Sequence, residues 1–333
     1  MIDKKLAKED GALYLTEFAQ GLEPLDISHN QFVEEALLTA RDLGGTVPQP
    51  LQCRSRNLLI NGLRLHVLDW GQESNPVLVL LHGGVVTSRT WGPFCALLAD
   101  RYRLIAMDMR GHGDSEWPRD GDSNHNAMAD DLAKLITTME LENPIVVGHS
   151  VGGLLLMRVM LKSPQLLGSA VLVDVGPKTA YAGWKPRSEV TEAGRLYDEI
   201  EAYVQRNAPR LKRSEEHMRR NAHHEFMRRM NGKYQLKYDP RHPMGGPDER
   251  TMPGLPTLEQ MADYRGRCLL VRGENSWFLD ADDAVEFAQR LPQGELVTVP
   301  DCEHMVYVEN PVGLAREIDR YVSSLDFVRG AAA

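Results

Sequence analysis

The chain has 333 residues, of which 42% are hydrophobic and 26% are charged, a composition typical of a globular protein with a sizeable core. Its formal net charge of −9 argues against a dedicated nucleic-acid surface, which needs clustered positive charge. Its four cysteines include no CxxC pair, which argues against a zinc site or a disulfide scaffold and predicts reduced thiols in a cytosolic protein.

The N-terminal residues carry mixed charge and no apolar run, so we expect no secretory signal. No stretch approaches the roughly 20 consecutive apolar residues that a membrane span needs. We therefore expect a cytoplasmic protein that acts on a small-molecule substrate and binds neither membrane nor nucleic acid.

The first predicted element is a helical arm over residues 1–50. Apolar side chains recur at near-helical spacing on both sides of Pro24, and Gly44-Gly45 ends the pattern. An arm of this kind packs either on its own core or on a second subunit. The sequence leaves both open, and the second would give a homodimer.

A doubly wound α/β core is predicted over residues 51–177 and 265–333. Asn61-Gly62 between two alternating segments predicts a β-hairpin through a tight turn. Short runs that are apolar on both faces follow, separated by helix-like segments, as in a buried, mostly parallel sheet. These runs span residues 77–81, 104–107, 145–147, 171–173, 269–271 and 296–299.

Residues 178–264 interrupt the strand pattern and are predicted to form a helical lid. They are strongly charged with helical spacing, and they become rich in proline and glycine beyond residue 240. An insertion between two core strands lies over the strand ends, where α/β sheets bind ligands. Tyr181 and Trp184 are the candidate substrate-binding residues of this lid, which is also a second surface through which a homodimer could form.

The strongest chemical signal is Gly148-His149-Ser150-Val151-Gly152. It follows an apolar strand and opens an apolar helix, which is the context of a strained strand-to-helix turn that exposes a serine hydroxyl. Small glycines avoid collision in such a turn, and the helix N-terminus favours developing negative charge. We therefore predict that Ser150 is a nucleophile.

Two backbone N–H groups are predicted to form an oxyanion hole. Val151, the residue after the nucleophile, supplies one donor. The other comes from His82-Gly83-Gly84, directly after the strand at residues 77–81, with Gly84 preferred and Val85 as the alternative.

His304 is the predicted general base. It follows the last predicted strand and precedes a helix, and a histidine suits this role because its pKa lies near working pH. The other histidines flank the nucleophile, lie in structural turns or lie in the lid, where a surface histidine is the commoner case.

Together with the loop at residues 108–115 (DMRGHGDS), these motifs resemble the α/β-hydrolase superfamily, in its lid-bearing esterase, lactonase and C–C hydrolase branch. The resemblance covers about residues 55–325. It implies an α/β-hydrolase fold, with an eight-stranded, mostly parallel sheet flanked by helices, a helical lid between the sixth and seventh strands, and a Ser–acid–His triad. It also implies a structural loop in which Arg110 pairs with Asp114, and a mechanism without metal or organic cofactor.

The acid of this triad is displaced from its usual position. Most relatives carry an aspartate three or four residues beyond the glycine that ends the seventh strand, whereas no aspartate follows Gly273 at that distance. Asp174, at the end of the sixth strand, is preferred, because geometry rather than sequence position defines a triad. Asp280 is the alternative, with Glu274 and Asp282 behind it.

The predicted function is hydrolysis of a carboxylic ester or lactone through an acyl-enzyme intermediate. Three alternatives remain open on this scaffold. A C–C bond hydrolase of ring-opened dienoates would bind a carboxylate through an arginine, for which Arg158 is available. A cofactor-free oxygenase would use the histidine as base and the serine only as a hydrogen-bond partner. A triad without a working acid would make a non-catalytic ligand-binding protein.

Overall fold

A computed structural model of the chain describes residues 22–24, 29–48, 51–179, 195–211, 213–229, 231–241 and 254–325. In these ranges the chain forms eleven strands, which are β1 (Leu22–Pro24), β2 (Cys53–Ile60), β3 (Leu63–Trp70), β4 (Val77–Leu81), β5 (Arg103–Met107), β6 (Ile145–His149), β7 (Ser169–Val173), β8 (Phe226–Arg229), β9 (Tyr234–Leu236), β10 (Cys268–Gly273) and β11 (Gly294–Val299).

Ten α-helices lie in the same ranges. They are α1 (His29–Asp42), α2 (Gly92–Leu98), α3 (His125–Thr138), α4 (Val151–Lys162), α5 (Ile200–Leu211), α6 (Glu215–Glu225), α7 (Leu258–Met261), α8 (Ala281–Arg290), α9 (Val306–Glu309) and α10 (Pro311–Ser323).

Eight strands form one sheet in the order β11-β10-β7-β6-β4-β5-β3-β2. β2 and β3 form an antiparallel hairpin and β3 runs antiparallel to β5, whereas the other neighbouring strands are parallel. The hairpin turns at Asn61 and Gly62, whose φ angles of 48° and 80° suit a two-residue turn with positive φ. The predicted eight-stranded, mostly parallel sheet is therefore confirmed.

Helices cover both faces of this sheet. α3, α4 and α8 pack on one face, where Leu132 and Phe287 join the core. α1, α2 and α10 pack on the other, where Phe32 and Ile318 are buried. Because both faces are covered, every residue of the central strands β6 and β7 is buried, which explains why these strands read as continuous apolar runs.

A second, small sheet joins the arm to the predicted lid region. β1 of the arm pairs antiparallel with β8, which in turn pairs antiparallel with β9. The prediction of helices alone was wrong here, because strands of three or four residues are too short to show an alternation.

α1 packs on α2 and contacts α6, where Arg220 Nη1 donates to Asp42 Oδ2 at 2.7 Å. The described part of the arm therefore packs on its own chain.

The loop at residues 108–115 is held by contacts other than the predicted one. Arg110 binds Asp131 of α3, with Nε to Oδ2 at 2.6 Å and Nη2 to Oδ1 at 2.7 Å. Asp114 accepts instead from Arg89 at 2.9 Å and from Lys237 at 2.5 Å. Two glycines with positive φ turn the chain between these side chains, so that Arg110 and Asp114 meet different partners.

The cysteines of the chain are free thiols, as predicted. Burial raises the pKa of both Cys268 and Cys302 to about 12, so these thiols stay protonated and unreactive. No helix in the described part of the chain combines the length and the apolar character needed to cross a membrane.

Candidate active site

Ser150 lies in a sharp turn between β6 and α4. Its φ of 52° and ψ of −117° fall outside the regions that serine normally occupies, so the residue is strained. Glycines make this turn fit. A Cβ on Gly148 would lie 2.6 Å from the carbonyl oxygen of Gly152, and one on Gly152 would lie 2.7 Å from that of His82. A side chain at either position would collide with backbone.

His304 lies beside the turn that carries Ser150. It belongs to the loop between β11 and α9, and its carbonyl oxygen lies 2.8 Å from Nε2 of His149. The imidazole centroids of the two residues are 4.6 Å apart. The fold therefore brings His304 next to the residue that precedes Ser150.

His149 is a further residue of this site. The sequence predicted no role for it beyond its place in the motif at residues 148–152. Because a carbonyl oxygen only accepts, the ring must carry a proton on Nε2 to bond with His304. Complete burial lowers the pKa of His149 well below its usual value, so the ring stays neutral. His149 thus anchors the backbone of His304 without adding a charge.

Asp174 is the carboxylate that contacts the imidazole of His304. Its Oδ2 lies 2.8 Å from Nδ1 of His304, and the side chain is fully buried. Oδ1 accepts from the N–H of Gly273 at 3.0 Å, and Oδ2 also accepts from the hydroxyl of Ser276 at 2.6 Å. These contacts form where β7 and β10 end side by side.

The other three carboxylates considered for this position make different contacts. Asp280 caps α8, because its side chain accepts from the N–H groups of Asp282 and Asp283. Asp282 itself lies in the first turn of that helix. Glu274 accepts from the N–H of Asp301 at 3.1 Å. The geometry therefore favours Asp174 over Asp280 as the partner of the imidazole.

Ser276 holds the Asp174 carboxylate in place and was not predicted. While its hydroxyl donates to Asp174, its oxygen accepts from the N–H groups of Phe278 and Leu279 at 3.1 and 3.0 Å. The hydroxyl is therefore fixed on both sides, and it links the loop after β10 to the end of β7. We assign it a positioning role.

The Ser276→Ala substitution should lower kcat about tenfold, because a hydrogen bond to a charged group is worth roughly 1.5–3 kcal/mol, part of which orients the carboxylate. KM should stay close to the wild-type value, because the Ser276 hydroxyl contacts the Asp174 carboxylate and backbone N–H groups. Ser163→Ala, at a helix end without a side-chain cap, is the control. A variant in which KM rises while kcat is kept would contradict the positioning role.

The loop after β4 contains the predicted oxyanion donor Gly84. His82 lies with Nδ1 2.6 Å from the carbonyl oxygen of Gly83, and its Nε2 accepts from the N–H of Met109 at 3.1 Å. The contact with His82 fixes the direction of the Gly83 carbonyl. In a trans peptide the N–H of the next residue points opposite to the carbonyl, so the direction of the Gly84 N–H is fixed as well. Val151 is the first residue of α4, and the first four N–H groups of a helix have no partner within it.

Non-glycine residues with positive φ lie in the loops of this site. A Cβ built on Gly83 would lie 3.5 Å from the Cβ of Ser150, so the two loops are in contact. Val85, Ser150 and Asp174 have positive φ angles of 63°, 52° and 51°. Such a φ is a genuine outlier for a β-branched valine, and residues of this kind cluster where function needs a fixed geometry. The alternative donor Val85 is therefore tightly constrained as well.

Two aromatic side chains of the loop after β10 pack against His304. The ring centroids of Trp277 and Phe278 lie 5.1 and 4.3 Å from that of the imidazole. Trp277 is 39% exposed, so part of this apolar surface faces solvent. The loop in which the resemblance implies an aspartate thus supplies aromatic rings here.

Three further residues were predicted to bind substrate, namely Tyr181, Trp184 and Arg158. Tyr181 and Trp184 lie outside the described residues. Arg158 is 2% exposed and donates from Nε to Oδ1 of Asn126 at 2.8 Å, so its guanidinium is directed toward α3.

Known proteins share this architecture. Residues 76–311 match the α/β-hydrolase fold family. The chain is 28% identical over 278 residues to the 2-(acetamidomethylene)succinate hydrolase of Mesorhizobium japonicum, across 81% of this chain and 95% of that protein. It is also 28% identical over 233 residues to an esterase of Mycobacterium tuberculosis, across 68% of this chain and 75% of that protein.

The solved structures agree with this assignment. A crystal structure of a Mycobacterium tuberculosis esterase superimposes with a TM-score of 0.73 at 24% identity, covering 90% of this chain and 100% of that one. The structure of an E-2-(acetamidomethylene)succinate hydrolase gives 0.71 at 25% identity, covering 82% and 100%. Because the family match spans well over half of the chain, this protein belongs to the α/β-hydrolase fold family, and its relatives identify it as a hydrolase.

Proposed function

We propose that this hydrolase cleaves a carboxylic ester or lactone, with Ser150 as nucleophile, His304 as general base and Asp174 as the acid that orients the base. The observation that carries the proposal is the 2.8 Å contact between Nδ1 of His304 and the buried Asp174 carboxylate, beside a strained serine turn. A carboxylate at this distance keeps the imidazole proton on Nδ1. Nε2 is then free to take the proton of Ser150.

The reaction proceeds through an acyl-enzyme intermediate. His304 takes the hydroxyl proton as Ser150 Oγ attacks the carbonyl carbon, and then gives it to the leaving alcohol. The N–H groups of Gly84 and Val151 stabilise the oxyanion, each worth about 3–4 kcal/mol. Water activated by His304 then attacks the acyl-enzyme and releases the carboxylic acid.

Several observations favour an ester over the alternatives. Relatives of the chain include esterases of Mycobacterium tuberculosis and Escherichia coli. Trp277 and Phe278 flank His304 with apolar surface, which suits an apolar acyl or alcohol group. The C–C hydrolase alternative relied on Arg158 as a carboxylate ligand, and that side chain is buried against Asn126.

A serine-directed fluorophosphonate probe tests the nucleophile. At low probe concentration we expect one fast adduct on the wild-type protein, mapped by mass spectrometry to the peptide that carries Ser150, with parallel loss of ester turnover. Ser150→Ala should lose both the fast adduct and the turnover, whereas Ser163→Ala should keep both. Wild-type protein that shows neither ester turnover nor an adduct at Ser150 would refute the mechanism and favour the ligand-binding alternative.

A further inference from the structure

A Ser–His–Asp chain of hydrogen bonds, made of residues other than Ser150, His304 and Asp174, lies at the edge of the large sheet. Ser55 Oγ, on β2, is 2.8 Å from Nε2 of His66, and Nδ1 of His66 is 2.7 Å from Oδ2 of Asp108. We propose that Ser55 is a second nucleophile of this protein, which accepts acyl groups from activated esters such as aryl esters. Its chemistry is separate from that of Ser150.

Asp108 sets the tautomer that this role requires. Its buried carboxylate also accepts from the N–H groups of Ser88 at 2.6 Å and Asp114 at 3.0 Å. Burial acts to raise the pKa of Asp108, but the hydrogen bond and the charge interaction with His66, together with the charge interaction with His82, outweigh it and bring the pKa down to about 2. The group is therefore a carboxylate at neutral pH and can only accept. His66 must then carry its proton on Nδ1, which leaves the lone pair of Nε2 for the hydroxyl of Ser55.

Ser55 is accessible to a reagent. The residue is exposed, and β2 is the last strand in the order of the large sheet. His66 directs its own N–H and C=O away from β2, to Oγ of Ser115 and to the N–H of Asp108. The direction of the backbone N–H and C=O groups alternates from one residue to the next along an antiparallel pair. Leu68, two residues beyond His66, therefore also directs these groups away from β2. Ser55 is the residue opposite Leu68.

The backbone N–H of Ser55 therefore points away from β3, toward the side of β2 that pairs with no other strand in the described ranges. It is one donor for an oxyanion, and the N–H of the nucleophile itself has this role in serine proteases. The edge position thus supplies both access for the ester and a first stabilising contact.

The proposed step is balanced without a further reactant. Ser55 Oγ attacks the carbonyl carbon of the aryl ester while Nε2 of His66 takes the hydroxyl proton. The bond between the carbonyl carbon and the aryl oxygen breaks, and the imidazolium, stabilised by Asp108, gives its proton to the departing phenolate. The products are acyl-Ser55 and a phenol. An oxyanion hole that lacks one donor is about 10²–10³-fold slower than a complete one, so we expect stoichiometric acylation rather than rapid turnover.

The test uses full-length protein with Ser150→Ala, so that the proposed ester hydrolysis cannot contribute. The protein is treated with p-nitrophenyl acetate, and the acetylated peptides are identified and timed by mass spectrometry. We expect acetylation of Ser55 at a rate at least tenfold above that of Ser74, an exposed serine between β3 and β4. The Ser55 acetylation signal should disappear in the Ser55→Ala, Ser150→Ala double variant. Because Ser55 is exposed, its substitution leaves the core intact.

A third variant, His66→Gln with Ser150→Ala, tests whether the acetylation rate of Ser55 depends on His66 as a base or only on the exposure of Ser55. Glutamine can still donate to Asp108 but cannot take a proton, so the acetylation rate of Ser55 should fall to that of Ser74. Thermal melts show whether this variant is folded. Acetylation of Ser55 no faster than that of Ser74 in folded Ser150→Ala protein would overturn the proposal. That result would leave the reaction of wild-type Ser150 with the fluorophosphonate probe untouched.

Discussion

Asp174→Asn is expected to lower kcat about 10⁴-fold while the fold is kept. The Oδ2 atom of Asp174 accepts the Nδ1 proton of His304, whereas an amide nitrogen in its place would donate. The imidazole would then carry its proton on Nε2 and could not take the proton of Ser150. Ester turnover and a thermal melt of wild type and variant measure the two effects. The change in the free energy of unfolding should be about 1–3 kcal/mol, because the hydrogen bonds of His304 and Ser276 to this atom are both altered.

Asp280→Asn is the matched control for this substitution. Asp280 caps α8 with its side-chain oxygen, and asparagine caps a helix about as well as aspartate does. Both turnover and melting temperature should therefore stay near those of the wild type. The reverse pattern, with turnover lost in Asp280→Asn and kept in Asp174→Asn, would show that the acid is assigned to the wrong residue.

Asp131→Asn should lower the free energy of unfolding by about 3–5 kcal/mol. Asp131 is fully buried, binds Arg110 through two hydrogen bonds and also accepts from Nδ2 of Asn61 at 2.9 Å. The Arg110 side chain is only 8% exposed, so the loss of its counter-ion leaves a buried charge unpaired. Urea denaturation followed by circular dichroism measures the change.

A double-mutant cycle separates this ion pair from the one that the sequence suggested. Arg110→Met and Asp131→Asn should couple by more than about 1 kcal/mol, because removing both partners leaves no unpaired charge. Arg110→Met and Asp114→Asn should be additive within about 0.5 kcal/mol, since Asp114 binds Arg89 and Lys237. Coupling of Arg110 to Asp114 in place of Asp131 would contradict the observed pairing.

Much of the fold could be predicted because its signals are local. A buried parallel strand is a short apolar run, and the serine turn is a strand, a glycine-flanked motif and a helix in direct succession. The runs at residues 77–81 and 145–147 therefore match β4 and β6 closely, and Ser150 lies in the strained turn that its motif predicts. The three short strands of the small sheet carry no such periodic signal and were missed.

The partners of buried polar groups could not be predicted in the same way. Arg110 was matched to Asp114 because the two are close in sequence, yet its partner is Asp131, on α3. The contact between His149 and the His304 carbonyl and the link from Ser276 to Asp174 likewise join residues far apart in the chain. Such hydrogen bonds exist only after the strands and helices have packed, so no local pattern encodes them.

The sequence by itself determined the large sheet, the turn that carries Ser150 and the position of His304 after the last strand. The tertiary structure decided which carboxylate meets the imidazole. β7 and β10 are neighbours in parallel register, so the end of β7 lies beside Gly273, and Asp174 reaches His304 across 130 residues of sequence. A carboxylate on one strand has no defined distance to a distant histidine until the order of the strands brings their ends together.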